Sequence, residues 1–500
     1  MAITLVKQPQ QLQPAYNEII YVLSSTVADQ QNFTFIAELE VDGDIVAVIR
    51  FPVNPDGYGV VDLHKHLQSF VTNDFDPTDL GFTEALQSYV KYKVIFKESL
   101  KPIWPFEFIV NYTVPPPGGP YPNTVDLQGY IGSNPNLYFS VGDDIQIVQD
   151  VPYSVPSYNG VTTIQSISGP FLNAWTIRTT KPFTAAPGAT QTGIVTTPGY
   201  SNIETPNIVI SINKEAFNGV RDFLNFIDWN YEDYDSNSAT GIGKFLTEVY
   251  NKYKVRDNSK IWLNVYNSFV GELNYLKIQK GPLVYYLPNP LSSGGSTLFK
   301  VNVSPEYLLS GVLEDAAGNE PDFPLTLNDG DCYTLTVVEN PLGADLVEPQ
   351  TFCIENRCSR YEDIQLVFMD KLGSFIPFHF DLVNRHTKNI ERVNYQQDYG
   401  KYAPASNNWK YNSWDRGTSS LDTKVTERYQ ITSNWVTQQQ SDLLVDLIES
   451  PEVYWFKEDG TVVAINITDS SVERKQIIND QLINYTINFE LANKNRQQSG

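Results

Sequence analysis

From Ile483 to Leu491 the chain alternates without a fault: Ile483, Tyr485, Ile487, Phe489 and Leu491 are apolar, and Asn484, Thr486, Asn488 and Glu490 between them are polar. A period of two is met by a strand with one buried and one wet face, and no helix satisfies it. Just upstream, Thr437 with Gln440 three residues on makes a capping box, Leu443, Leu444, Leu447 and Ile448 make one apolar stripe, and Pro451 stops the helix. Val453 to Phe456 and Val462 to Thr468 flank Glu458-Asp459-Gly460 as a hairpin. Residues 423–500 therefore read as an α+β module with a helix laid on an antiparallel sheet.

The same grammar recurs at the other end. Phe33 to Leu39 and Ile45 to Phe51 flank Asp42-Gly43, where glycine permits the positive φ of a tight hairpin. Asp62 caps a helix to about Val71, with Leu63, Leu67 and Phe70 on its buried face, and strands follow at Gln87 to Phe96 and Phe106 to Val114. This predicts a β-sandwich-like domain over 1–115. Pro115 to Pro120 holds four prolines and two glycines and reads as a linker. Residues 121–200 are rich in Gly, Pro, Ser, Thr and Val with short runs at Asp144 to Val148, Val161 to Ile167 and Ala174 to Thr179, the pattern of an inserted small barrel or sandwich. Residues 206–295 read as an α+β continuation of the core, with a strand at Asn207 to Ile212 and helices at Glu215 to Phe226 and Gly243 to Lys254. A β-sandwich-like domain over 296–395 and an extended polar arm over 396–422 complete the chain. The fold class expected is mainly β with some α+β, in several antiparallel sandwich or barrel domains.

Composition excludes more than it assigns. With 35 basic and 58 acidic residues the net charge is −23, and no basic run offers a phosphate backbone a seat, so no sequence-specific nucleic acid is expected as partner. Apolar runs stop well short of a membrane span, and Met1 to Pro9 lacks the basic and apolar regions of an export signal, so synthesis in the cytoplasm without secretion through the general pathway is expected. His64 and His66 lie about 200° apart on a helix and cannot share a metal. Cys353 and Cys358 could bridge a tight turn, but free thiols are the expectation for a cytoplasmically made chain, and Cys332 does not complete a zinc site. The carboxylate runs Asp74 to Asp79 and Asp228 to Asp235 lack the glycine and distal glutamate of a calcium loop. No phosphate loop, dinucleotide fingerprint or nucleophile elbow appears in its required context. The expectation is a non-enzyme with no catalytic residue, metal or cofactor. Aromatic clusters, Trp229, Tyr231 and Tyr234 in an acidic loop and Trp409, Tyr411 and Trp414 in the polar arm, are the candidate interface residues.

Several stretches carry a family resemblance. Gln13-Pro-Ala-Tyr-Asn17, Ser24-Ser-Thr26 and the Asp42-Gly hairpin, then Cys358-Ser-Arg-Tyr361 leading into Phe368-Met-Asp-Lys-Leu-Gly373 and Phe378-His-Phe380, resemble structural proteins of tailed bacteriophages of Bacteroidota, the crAss-like phages and relatives. Leu447 to Val453, Ile465 to Asp469 and Tyr485 to Glu490 are similar to the closing domain of those proteins. The resemblance implies a virion component of tail, neck or baseplate, self-assembled as a six- or twelvefold ring, in contact with other tail or portal proteins. A negative ring lining would keep passing DNA from adhering. Two other readings stand beside it: a β-rich carbohydrate-binding or adhesin protein, and a polysaccharide-degrading tail enzyme, for which a long β-helix repeat is expected and none appears.

Overall fold

The computed structural model describes residues 3–26, 28–29, 33–73, 75–100, 106–111, 124–128, 144–149, 160–171, 174–179, 191–196, 203–204, 209–211, 213–238, 241–268, 274–291, 297–469, 483–493 and 496–498. The Pro115 to Pro120 linker lies outside them. The protein is mainly β, with 47% strand and 10% helix. It divides into two compact units, each discontinuous in sequence: residues 1–8, 20–61 and 93–212, and residues 9–19, 62–92 and 213–500. No helix among the described residues is long and apolar enough to cross a membrane.

In the first unit, Ile20–Ser25 lies between Ile3–Lys7 and Tyr58–Asp62. Phe33–Val41 and Asp44–Phe51 form a hairpin whose turn residues Asp42 and Gly43 have φ of 53° and 91°, the left-handed pair a tight hairpin requires. Lys93 and Lys97, on the strand beside it, bond Glu40 and Glu38 at 2.5 and 2.6 Å. Asp44–Phe51 is the outermost strand of its sheet and leaves Ile45, Val46 and Val48 exposed. Six strands, Phe106–Asn111, Thr124–Gln128, Asp144–Gln149, Gly160–Phe171, Ala174–Thr179 and Gln191–Thr196, close into a barrel. Phe106–Asn111, placed upstream of the linker by sequence, is one of its staves, because it pairs with both Thr124–Gln128 and Gln191–Thr196.

The second unit is built on two sheets. The larger runs, in order, through Arg385–Gln396, Thr418–Thr432, Thr486–Leu491, Val462–Ile467, Val453–Phe456, Ile364–Met369, Phe375–Phe380, Trp262–Asn267, Thr297–Asn302 and Phe82–Glu84. The smaller joins Tyr253–Val255, Gln350–Ile354, Cys332–Val338, Tyr275–Lys280 and Leu283–Pro288. One continuous core, including Val265, Phe299, Phe368 and Ile376 of the first and Leu276, Ile278, Leu335 and Phe352 of the second, joins the two sheets. The helix Gln438–Glu449 carries the capping box and buries Leu443, Leu444 and Leu447 on that core. Burial of such side chains at roughly 25 cal/mol per Å² is the main stabilising term.

Four local readings are corrected. Glu215 to Phe226 is two elements, a strand Lys214–Phe217 and a short helix Phe223–Ile227, because the first four residues pair with both Leu12–Pro14 and Tyr89–Tyr92. Gly243 to Lys254 is not a helix. Phe245, Leu246, Val249 and Tyr253 are buried as expected, but Gly243 N–H bonds the Leu346 carbonyl and Leu246 N–H that of Asn264, so the backbone is satisfied by other segments of the chain. The Asp62 helix tightens into a 3₁₀ turn at Gln68–Phe70, which turns Phe70 outward while Leu63 and Leu67 stay buried. Cys332 and Cys353 sit directly opposite on neighbouring strands and form a disulfide, leaving Cys358 exposed as the free thiol.

Candidate functional site

The expected polar arm over 396–422 is the outer part of a long hairpin. Arg385–Gln396 and Thr418–Thr432 pair antiparallel from Arg385 opposite Gln430 to Gln396 opposite Thr418, with a bulge at Val393 and Asn394. At its root Tyr429 stacks between the His386 ring, 4.4 Å away, and the Phe489 ring, 5.1 Å away. Glu427 accepts from Lys388 at 2.7 Å and pairs with His386 at 3.0 Å, and the Lys388 hydrogen bond holds its carboxyl below the ordinary glutamate range. Beyond the root no residue of either strand is fully buried. Every residue of Arg385–Gln396 is exposed except Asn389, which is half-buried.

The tip is a second, smaller hairpin. Lys401–Ala403 pairs with Asn408–Lys410 around a turn in which Asn407 takes φ 49° and accepts from the Tyr402 hydroxyl at 2.6 Å. Gly400 has φ 93°, and a β-carbon there would fall 2.3 Å from Trp409 Nε1, so only glycine lets the indole lie against the backbone. Trp409 Nε1 donates to the Tyr399 carbonyl at 3.0 Å, and the Tyr399 and Tyr411 rings stand 5.3 Å apart. Gln396, Gln397, Asp398, Tyr399, Trp409 and Tyr411 line an open hollow of about 750 Å³. Trp409, Tyr411 and Trp414 are 48%, 64% and 77% exposed, so the structure places all three predicted arm aromatics at the surface.

In the other predicted cluster Trp229 is buried and Tyr231 and Tyr234 are half-buried. Trp229 donates from Nε1 to the Leu12 carbonyl at 3.0 Å, and stacks on Tyr234 at 5.0 Å. Gln10 holds the loop down, donating to the Trp229 carbonyl and accepting from Tyr231 N–H. Burial pushes the Tyr231 and Tyr234 phenols above the usual tyrosine value. The loop packs into its own unit.

One arrangement carries chemistry that no sequence spacing announces. Ser259 Oγ lies 2.8 Å from His379 Nε2, and His379 Nδ1 lies 2.8 Å from Asp363 Oδ2. That is the connectivity of a hydrolytic triad. Yet Ser259 is fully buried, and its Oγ already accepts the Arg256 N–H at 2.8 Å. His379 lines a small hollow of about 60 Å³ with Tyr253, Glu355 and Trp435, but Ser259 does not reach it. Arg256 bridges Asp363 at 2.9 Å and Asp381 at 2.8 Å, so the network pins the turn before Trp262–Asn267 to Phe375–Phe380 and leaves no accessible nucleophile. His64 is held by Asp62 at 2.7 Å, and no group of three metal-ligating side chains occurs among the described residues.

A shallow cleft of about 270 Å³ lies beside the Gln438–Glu449 helix, lined by Asp222, Glu248, Lys371, Asp442, Asp446 and Glu449 among others. Burial works against the Lys371 ammonium, but Asp446 and Asp222 outweigh it and hold its pKa above the ordinary lysine value. No protein-family model matches the chain, and comparison with curated proteins gives no match.

Proposed function

We propose that the chain is a structural subunit of a tailed-phage virion, a ring component of tail, neck or baseplate that self-assembles and contacts neighbouring tail proteins. The observation that carries this reading is the hairpin arm. Thr423 to Val425 pair with Arg496–Gln498, but beyond them the arm is a two-stranded ribbon, at best marginally stable in water, with six aromatic rings, Tyr395 to Trp414, exposed. Such a segment gains its burial from a neighbouring molecule, as tyrosine- and tryptophan-rich interface anchors do. The family resemblance supplies the setting, and the acidic composition suits a particle that handles DNA without retaining it.

The test is quantitative mass spectrometry of purified particles from a culture carrying the gene, with a portal or tail-tube protein as the standard. Six or twelve copies per particle are expected. Absence from the particle overturns the reading. The open hollow at the arm tip, with its clustered rings and amide side chains, favours carbohydrate binding as the second reading, for which glycan-array binding lost on Trp409→Ala is the expected result.

A further inference from the structure

The arm differs in charge from the rest of the chain. Between Arg385 and Thr432 there are eight Lys and Arg against five Asp and Glu, in a protein of net charge −23. Glu427 engages Lys388, and Glu391 approaches Lys424, but Arg392, Lys401, Lys410 and Arg416 are exposed and meet no carboxylate at ion-pair distance among the described residues. Unpaired base and exposed rings thus share one projection.

A surface of the opposite character lies on the same unit. In the short helix Phe223–Ile227, Phe223, Leu224 and Ile227 are 76%, 74% and 62% exposed and fall within about 100° of one another round the axis. Asp222 and Asn225 turn the other way, into the acidic cleft. There Asp222, Glu248, Asp442, Asp446 and Glu449 line the cleft, and among the described residues Lys371 pairs with Asp222, Asp446 and Glu449 and Arg221 with Glu248. An apolar ridge bordered by excess negative charge is what a basic, aromatic projection fits: rings desolvate against Phe223 and Leu224 while the cations find acceptors at the rim.

We infer that the arm tip of one copy, through Trp409, Trp414, Lys401 and Lys410, docks on the Phe223–Leu224–Ile227 ridge and acidic cleft of a second copy. This rests on the self-assembly reading and names its contact. Donor and acceptor surfaces are different, so the contact is heterologous; it builds a ring where the rotation closes and a filament where it does not. Attraction between a positive arm and an acidic cleft also makes association fall as salt rises.

The test is zero-length carbodiimide coupling of full-length chain mixed from ¹⁴N and ¹⁵N preparations, read by mass spectrometry. Mixed-isotope links from Lys401 or Lys410 to Asp222, Asp442 or Glu449 are expected. Phe223→Asp with Leu224→Asp should weaken self-association roughly tenfold or more, while Leu342→Asp, still more exposed elsewhere, leaves it unchanged. Lys401→Glu/Lys410→Glu chains and Asp442→Lys/Glu449→Lys chains should each assemble poorly alone and recover when mixed. Oligomers that persist undiminished in the Phe223→Asp/Leu224→Asp variant, with mixed links elsewhere, overturn this contact and leave self-assembly standing. A wild-type chain that stays monomeric, whether or not its arm binds glycans, overturns both.

Discussion

Asp370 shows how one buried carboxyl is balanced. It is fully enclosed, and it accepts from Leu372 and Ser374 N–H at 3.0 and 2.9 Å, from the Thr247 hydroxyl at 2.6 Å and from Glu248 N–H at 3.0 Å. Burial outweighs those four donors and pushes its pKa up to about 7. An unfolded aspartate ionises near 3.9, so between about pH 4 and pH 7 the native state binds more protons than the unfolded chain. Stability therefore falls as pH rises through that window, by at most about 1.4 kcal/mol per pH unit from this group, and levels off above it. Asp370→Asn should flatten the slope, as urea unfolding at pH 4.5, 6 and 7.5 would measure; a slope identical to wild type would show that other groups set it.

Among elements, the Cys332–Cys353 cross-link joins two adjacent strands of the smaller sheet, closing a loop 21 residues long in sequence. Cross-links of that span stabilise by about 3 kcal/mol through the unfolded chain. Cys332→Ser with Cys353→Ser should lower the urea midpoint accordingly and remove its dependence on reductant, while Cys358→Ser, at an exposed site, leaves it unchanged. The pairing was illegible in the sequence because it depends on strand register. By contrast, the capping box of Thr437 and Gln440, the Leu443–Leu447 stripe, the Asp42-Gly43 turn and the alternation to Leu491 were legible, since each is decided by residues within a few positions. Gly243 to Lys254 misled for the complementary reason. Its apolar residues keep helical spacing, but their backbone partners lie on segments up to about a hundred residues away, and period alone cannot see them.

At the scale of the molecule, the arm is a surface device rather than part of the core. Replacing residues 398–416 by a two-residue Asn-Gly turn removes Trp409, Tyr411 and Trp414 without touching the Tyr429 stack at the root. The expected outcome is an unchanged thermal midpoint together with loss of self-association; a drop of several degrees would show that the tip is packed in its own molecule. The exposure of the arm aromatics was legible because that segment has no period to bury them, whereas Trp229, in an equally aromatic stretch, is buried by bonds to Gln10 and Leu12 from more than 200 positions away. The Ser259, His379 and Asp363 network, assembled across 120 residues, left no trace in the chain at all.

Asp44–Phe51, the outermost strand of its sheet, has a neighbouring strand on one side only among the described residues. The amides aimed at Phe33–Val41 are locked into the hairpin, and the alternate ones face solvent with Ile45, Val46 and Val48 beside them. In deuterated buffer this strand should record a two-speed clock, every second amide trading its proton within the dead time and its neighbours only on opening of the hairpin.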